Sequence, residues 1–143
     1  MGIILAIDYG EKRTGIAATD PMQIIASGLT TLATKEVIPF LADFCRQHKV
    51  VLCVIGEPKQ MDNSPSQVEG QIKRFIVQLE KALPALAIER HDERFTSKMA
   101  FQSMLAGGLK KEKRKNKGLI DKISATLLLQ SYLDASLHSK KNK

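Results

Sequence analysis

The chain has 143 residues, 43% hydrophobic and 26% charged, the composition of one soluble globular domain long enough to bury a sizeable core. No apolar stretch approaches the roughly 20 residues of a membrane span, and the short N-terminal apolar run lacks a basic leader, so neither a span nor a secretory signal is expected. Residues 1–105 carry twelve Lys/Arg and twelve Asp/Glu, so the whole net charge of +7 lies in 106–143, chiefly Lys110, Lys111, Lys113, Arg114, Lys115 and Lys117. This asymmetry favours a polyanionic partner, nucleic acid above all, over a merely solvated loop.

The first predicted element is a strand at Ile3–Ile7, an unbroken apolar run of the kind buried on both sheet faces. It ends in Asp8, which strand alternation places on the face of Ile4 and Ala6. A carboxylate ending a buried strand is costly unless a cation compensates it or it caps the turn by accepting a hydrogen bond from its own local backbone. The turn Gly10–Arg13 leads to a second strand at Thr14–Thr19. Asp20-Pro21 breaks it, and Ile24–Leu32 predicts a third, β-branched strand.

A helix follows over Thr34–His48, with Val37, Ile38, Leu41, Phe44 and Cys45 at helical spacing and Pro39 confining its start. Val50–Gly56 is a second continuous apolar run, hence a central strand, and the polar loop after it lies where open α/β sheets bind ligands. Ser66 and Glu69 form a capping box for the next helix, whose core face is Val68, Ile72, Phe75, Ile76, Leu79 and Leu83. Leu86–Arg90 is a short fifth strand delivering His91, Asp92, Glu93 and Arg94. A helix from Thr96 to Ala106 and a last one from Gly118 to Leu137 complete an α/β chain: a mixed five-stranded sheet with helices on both faces. No repeat or linker divides it, so residues 1–138 are expected to form one domain and 139–143 a disordered basic tail. Cys45 and Cys53 lack metal-ligand spacing and read as small buried hydrophobes of a reduced, cytoplasmic protein.

Three acids fall where element ends can converge: Asp8, the Asp92-Glu93 pair, and Asp121. Asp121 shares a helix face with Ala125, Leu128 and Tyr132, which points it toward the sheet. The helix dipole favours an acid there by only roughly 0.3–1 kcal/mol, too little to offset burial beside other carboxylates. Gathered carboxylates repel unless a divalent ion holds them, and an oxygen-only set selects Mg²⁺ or Mn²⁺, the ions of in-line phosphoryl chemistry. The alternative is that the acids are separate caps and surface residues. Lys12, Arg13 and Arg94 lie beside them and could hold phosphates or pair with them. His91 reads as a structural strand-end residue rather than an acid–base catalyst.

Four motifs in order carry a resemblance. They are Ile7-Asp8-Tyr9-Gly10-Glu11-Lys12-Arg13-Thr14-Gly15; Val54-Ile55-Gly56-Glu57-Pro58 through Ser64; Asp92-Glu93-Arg94-Phe95-Thr96; and Lys117 through Asp121 with Ala125, Gln130 and Tyr132. Together, over about residues 3–134, the chain resembles the YqgF (RuvX) family of Holliday-junction-resolvase-like nucleases. Glu57, Asn63 and Phe95-Thr96-Ser97 depart from the family pattern. Asn63 can supply the left-handed backbone of a Gly, and Glu57 is an extra carboxylate that could ligate metal or pair with Lys59.

The resemblance implies a ribonuclease-H-like fold and a nuclease that matures the 5′ end of the small-subunit ribosomal RNA precursor. It also implies metal ligation and catalysis by Asp8, Glu93 and Asp121, with Glu93 preferred over Asp92. Lys12, Arg13, Arg94 and the basic block would then position phosphates without base selectivity. The alternatives are a resolvase acting on branched DNA and a catalytically weak RNA-binding assembly factor. A nucleotide binder of the actin and sugar-kinase superfold comes last, since that fold needs two such domains. A monomer or weak homodimer is expected.

Overall fold

Two continuous apolar runs become the centre of the sheet. The computed structural model describes residues 2–57, 68–92 and 117–141, with side chains in the last stretch at 123–135. Its elements are β1 (Ile3–Asp8), β2 (Arg13–Thr19), β3 (Ala26–Ala33), α1 (Val37–Gln47), β4 (Val50–Glu57), α2 (Glu69–Ala82), β5 (Ile88–Asp92) and α3 (Lys117–Lys141), with one 3-10 turn at Thr34–Glu36 before α1. The strand order is β3-β2-β1-β4-β5. β1 and β2, and β2 and β3, pair antiparallel, whereas β1 and β4, and β4 and β5, pair parallel, giving the mixed five-stranded sheet expected.

Alternation divides the core into two layers. Leu5 and Ile7 of β1, Ile16 of β2, and Cys53 and Ile55 of β4 bury against Val37 and Leu41 of α1 and Ile72, Phe75 and Leu79 of α2. Ile4, Ala6, Ala17 and Val54 face the other way, against Ala125, Leu128, Leu129 and Leu133 of α3. Helices therefore cover both faces, which is why β1 and β4 are apolar up to the carboxylates that end them. Ala6, Ala17 and Ala125 sit in one cluster, so small side chains let α3 approach the sheet closely. Among the described residues no helix is long and apolar enough to cross a membrane.

Several boundaries differ from expectation. β3 starts at Ala26, because Ile24 and Ile25 belong to an exposed turn whose N–H groups both donate to Asp20 Oδ1 at 2.8 Å. β5 spans Ile88–Asp92, two residues later than predicted, which makes Asp92 part of the strand. α1 starts at Val37 and keeps Pro39 in its first turn, where its missing N–H is harmless. α2 has Val68 as N-cap with no side-chain cap bond, so Glu69 opens the helix and serves another partner. α3 runs to Lys141, beyond the predicted Leu137. Cys53 is fully buried, but Cys45 is only partly so. The helix expected from Thr96 to Ala106 lies outside the described residues.

Candidate active site

The parallel strands β1, β4 and β5 are neighbours, and each ends in a carboxylate: Asp8, Glu57 and Asp92. Register sets Ile7 beside Ile55 and Glu57 beside Asp92, so the three acids form one row along the C-terminal edge. Open α/β sheets bind their ligands outside this edge. Alternation nevertheless splits the row. Asp8 follows Ile4 and Ala6 onto the α3 face, whereas Glu57 follows Cys53 and Ile55, and Asp92 follows Ile88, onto the α2 face. All three are half-buried.

The expected metal ligands are only partly within the described residues. Asp8 is placed as just stated. Glu93 lies outside them, as do Arg94, Lys110, Lys111, Lys113, Arg114 and Lys115; position 121 belongs to the α3 backbone, but the side chains of Asp121 and Lys117 lie outside. Among the described residues no three His, Cys, Asp or Glu side chains gather as a metal site. By register Glu57 shares neither face nor neighbour helix with Asp8.

The turn after Asp8 is tightly wired. The Gly10 N–H donates to Thr14 Oγ1 at 3.4 Å, and the Gly10 carbonyl accepts from Thr34 Oγ1 at 2.6 Å. The two hydroxyls are 2.9 Å apart, and the Thr34 N–H donates to the Lys12 carbonyl at 3.0 Å. A Cβ on residue 10 would collide with the Arg13 carbonyl oxygen, so only Gly fits this close approach. Tyr9 packs its ring at a tilt against Phe75 of α2, 5.3 Å between centroids, fixing the residue between Asp8 and Gly10. Lys12 and Arg13 project from this turn, both exposed, as phosphate contacts must be.

Two further networks tie the edge together, and sequence reasoning missed both. Arg90 of β5 donates to both Glu69 oxygens, at 2.8 and 3.2 Å, and to the Ile55 and Gly56 carbonyls at 3.3 and 3.0 Å. The available signal was a cation at an inward-facing strand position, which requires an acid from the helix covering it. On the opposite face Tyr132 donates to Glu89 at 2.6 Å, and His91 Nε2 shares a 2.9 Å bond with Ser131 Oγ. Burial, and then the Glu89 carboxylate, push the Tyr132 hydroxyl up to about 12. His91 is thus a strand-to-helix fastener, as expected of a structural residue.

Comparison with known proteins matches residues 2–135 to the RuvX family model, described as Holliday junction resolvase. A relative from Flavobacterium psychrophilum is 60% identical over 91% of this chain and 95% of its own length. Another, from Christiangramia forsetii, is 56% identical over 93% and 98% respectively. Both are named as candidate pre-16S rRNA nucleases. Among solved structures, RuvC of T. thermophilus in complex with Holliday junction substrate shares the fold, with a TM-score of 0.58 and 14% identity over 96% of both chains. The architecture is ribonuclease-H-like, and the chain belongs to the RuvX family.

Proposed function

We propose that this protein is a metal-dependent endonuclease that hydrolyses phosphodiester bonds of precursor 16S ribosomal RNA, maturing its 5′ end. The observation that carries the reading is Asp8: a half-buried carboxylate at the end of the central strand, aimed at the face that α3 covers, in a RuvX chain. The names of the relatives support the substrate. In this reading Asp8, Glu93 and Asp121 hold Mg²⁺ or Mn²⁺, and an all-carboxylate donor set fits such hard ions. The parity that sends Asp92 to the α2 face favours Glu93 as the ligand from this motif. Position 121 lies one helical turn before the buried Ala125, which favours the third assignment.

A bound divalent ion would supply Lewis-acid activation of water and stabilisation of the leaving oxygen. The chain's own part is positioning. Lys12 and Arg13 hold the phosphate backbone at the mouth of the edge, Arg94 and the basic block extend that contact, and Asp8 is fixed between the sheet and the wired turn. The protein would work in the cytoplasm, as one domain of residues 1–138 with a basic tail, alone or as a weak homodimer. Its test is cleavage of a precursor RNA carrying the 5′ extension, with Mg²⁺, with Mn²⁺ and with chelator. Cleavage should need the metal and vanish in Asp8→Asn at unchanged melting temperature. A folded, fully active Asp8→Asn protein would overturn the reading.

The family description favours branched DNA as a second substrate class. A four-way junction cut faster than the precursor RNA, under the same metal dependence, would move the assignment there.

A further inference from the structure

The hydroxyls of Thr14 and Thr34 form a closed circuit with one residue, and counting protons fixes its direction. The Gly10 carbonyl can only accept, so the single Thr34 proton is committed to it across 2.6 Å. Thr34 Oγ1 must then accept the Thr14 proton across 2.9 Å, and Thr14 Oγ1, its proton spent, accepts the Gly10 N–H at 3.4 Å. Both backbone groups of Gly10 are thereby satisfied by side chains from two other places in the chain. The Thr34 N–H adds a latch on the Lys12 carbonyl. Thr14 is fully buried, so a broken circuit leaves its hydroxyl without solvent to turn to.

The Thr34 half of this clamp lies outside the β1–β2 hairpin, at the junction where β3 ends at Ala33 and the chain turns toward α1. Thr34 carries no charge, yet it sets the path of the backbone that bears Lys12 and Arg13 and that follows Asp8 by two residues. We propose that Thr34 is a positioning residue of the nuclease site, holding the Gly10–Arg13 turn in the one geometry in which its cations meet a bound phosphate backbone. The inference rests on the nucleic-acid reading above, and adds to it a residue that acts through the turn rather than on the substrate or metal. Preorganising a contact of this kind improves affinity by removing the cost of ordering it on binding.

Thr34→Val tests it, because the β-branched shape stays and only the hydroxyl goes. The expected result is a folded protein in which the Gly10 amide loses protection from hydrogen exchange. Affinity for a short single-stranded RNA should fall about tenfold, and the slope of log affinity against log salt should become shallower by about 0.7 for each phosphate that the turn no longer engages. Thr34→Ser, which restores the proton, should recover both. Leu79→Ala, destabilised in the core at the C-terminal end of α2, should leave affinity and slope unchanged, so general loosening cannot mimic the effect. Wild-type affinity and slope in folded Thr34→Val overturn the proposal while leaving the nuclease reading intact. A wild-type protein that binds no RNA overturns the RNA assignment and this inference with it.

Discussion

Both oxygens of the Glu69 carboxylate are held by Arg90, Oε1 by Nη2 at 2.8 Å and Oε2 by Nη1 at 3.2 Å. The same guanidinium reaches the Ile55 and Gly56 carbonyls, so one side chain joins the ends of β4 and β5 to the first residue of α2. The pair is largely buried, with side chains 21% and 11% exposed. Arg90→Ala should therefore destabilise the protein by about 3 kcal/mol, since it strands a carboxylate in a poorly solvated place. Arg90→Lys should recover little, because an ammonium cannot reproduce the two-pronged bond. Urea unfolding of both variants decides it; a cost of under about 1 kcal/mol in Arg90→Ala, the range of a surface pair, would show that the pair holds nothing.

What the sequence made legible depended on whether the cause was local. β1 and β4 could be read because strands buried on both faces need apolar residues throughout, and Asp8 stood out as the charge that ends such a run. Ile24 and Ile25 misled for the same reason: their β-branched side chains suit a strand, but the Asp20 carboxylate takes the N–H groups of Met22, Ile24 and Ile25 and bends the chain into a turn, with Gln23 at φ 61°. Glu69 was read only as half of a capping box with Ser66, which lies outside the described residues; its carboxylate serves a cation 21 residues away. Thr34 carried no signal at all, because its partner Gly10 is 24 residues distant and nothing in local spacing encodes that meeting. Parity, by contrast, was legible: alternation alone already allowed only one of Asp92 and Glu93 to share the face of Asp8.

The approach of α3 to the sheet depends on small side chains. Ala125 is fully buried in the cluster that includes Ala6 and Ala17. Ala125→Leu should cost about 1–3 kcal/mol in urea unfolding, because three extra carbons force the helix away from β1 and β2. Gln130→Ala, on the exposed side of the same helix, should stay within about 0.5 kcal/mol of wild type. Equal effects from the two would deny that this packing sets the helix position.

Tyr132 makes stability depend on pH at the alkaline end. Its hydroxyl ionises near 12 in the folded protein against 10.0 ordinarily, first through burial and then through Glu89. A raised value means the folded state favours the neutral phenol. Its contribution is complete below pH 10 and is lost as pH rises toward 12. The difference in urea midpoint between wild type and Tyr132→Phe should be constant up to about pH 9.5 and shrink above it, an effect kept modest by the exposure of the bond. A difference that grew with pH would reverse the assignment.

The two thiols should react at different rates. Cys53 has no exposed surface, and burial raises its thiol to about 12; Cys45 is raised too, again by burial, but lines an open cavity of about 280 Å³ with Val50, Leu83 and Leu86. A thiol reagent at pH 8 should label Cys45 in the native protein and reach Cys53 only when the sheet opens, at a rate that climbs with urea. Fast labelling of both without denaturant would mean that β4 is not the sealed centre described.

Lys12 and Arg13 are exposed, so replacing them should keep the fold while changing how the protein meets a polyanion. A phosphate contact releases bound counterions, and its removal shows as a smaller salt dependence rather than a change of sequence preference. Lys12→Gln and Arg13→Gln should each lower the slope of log affinity against log salt for single-stranded RNA by about 0.7, and the double variant by about twice that. The reduction should be the same for pyrimidine-rich and purine-rich strands, because these side chains read the backbone and not the bases. Thr34→Val acts on the same turn through its geometry, so adding it to the double variant should lower the slope no further. An unchanged slope in the double variant, with the fold intact, would remove the turn from the nucleic-acid path and leave the charge in residues 106–143 to carry binding alone.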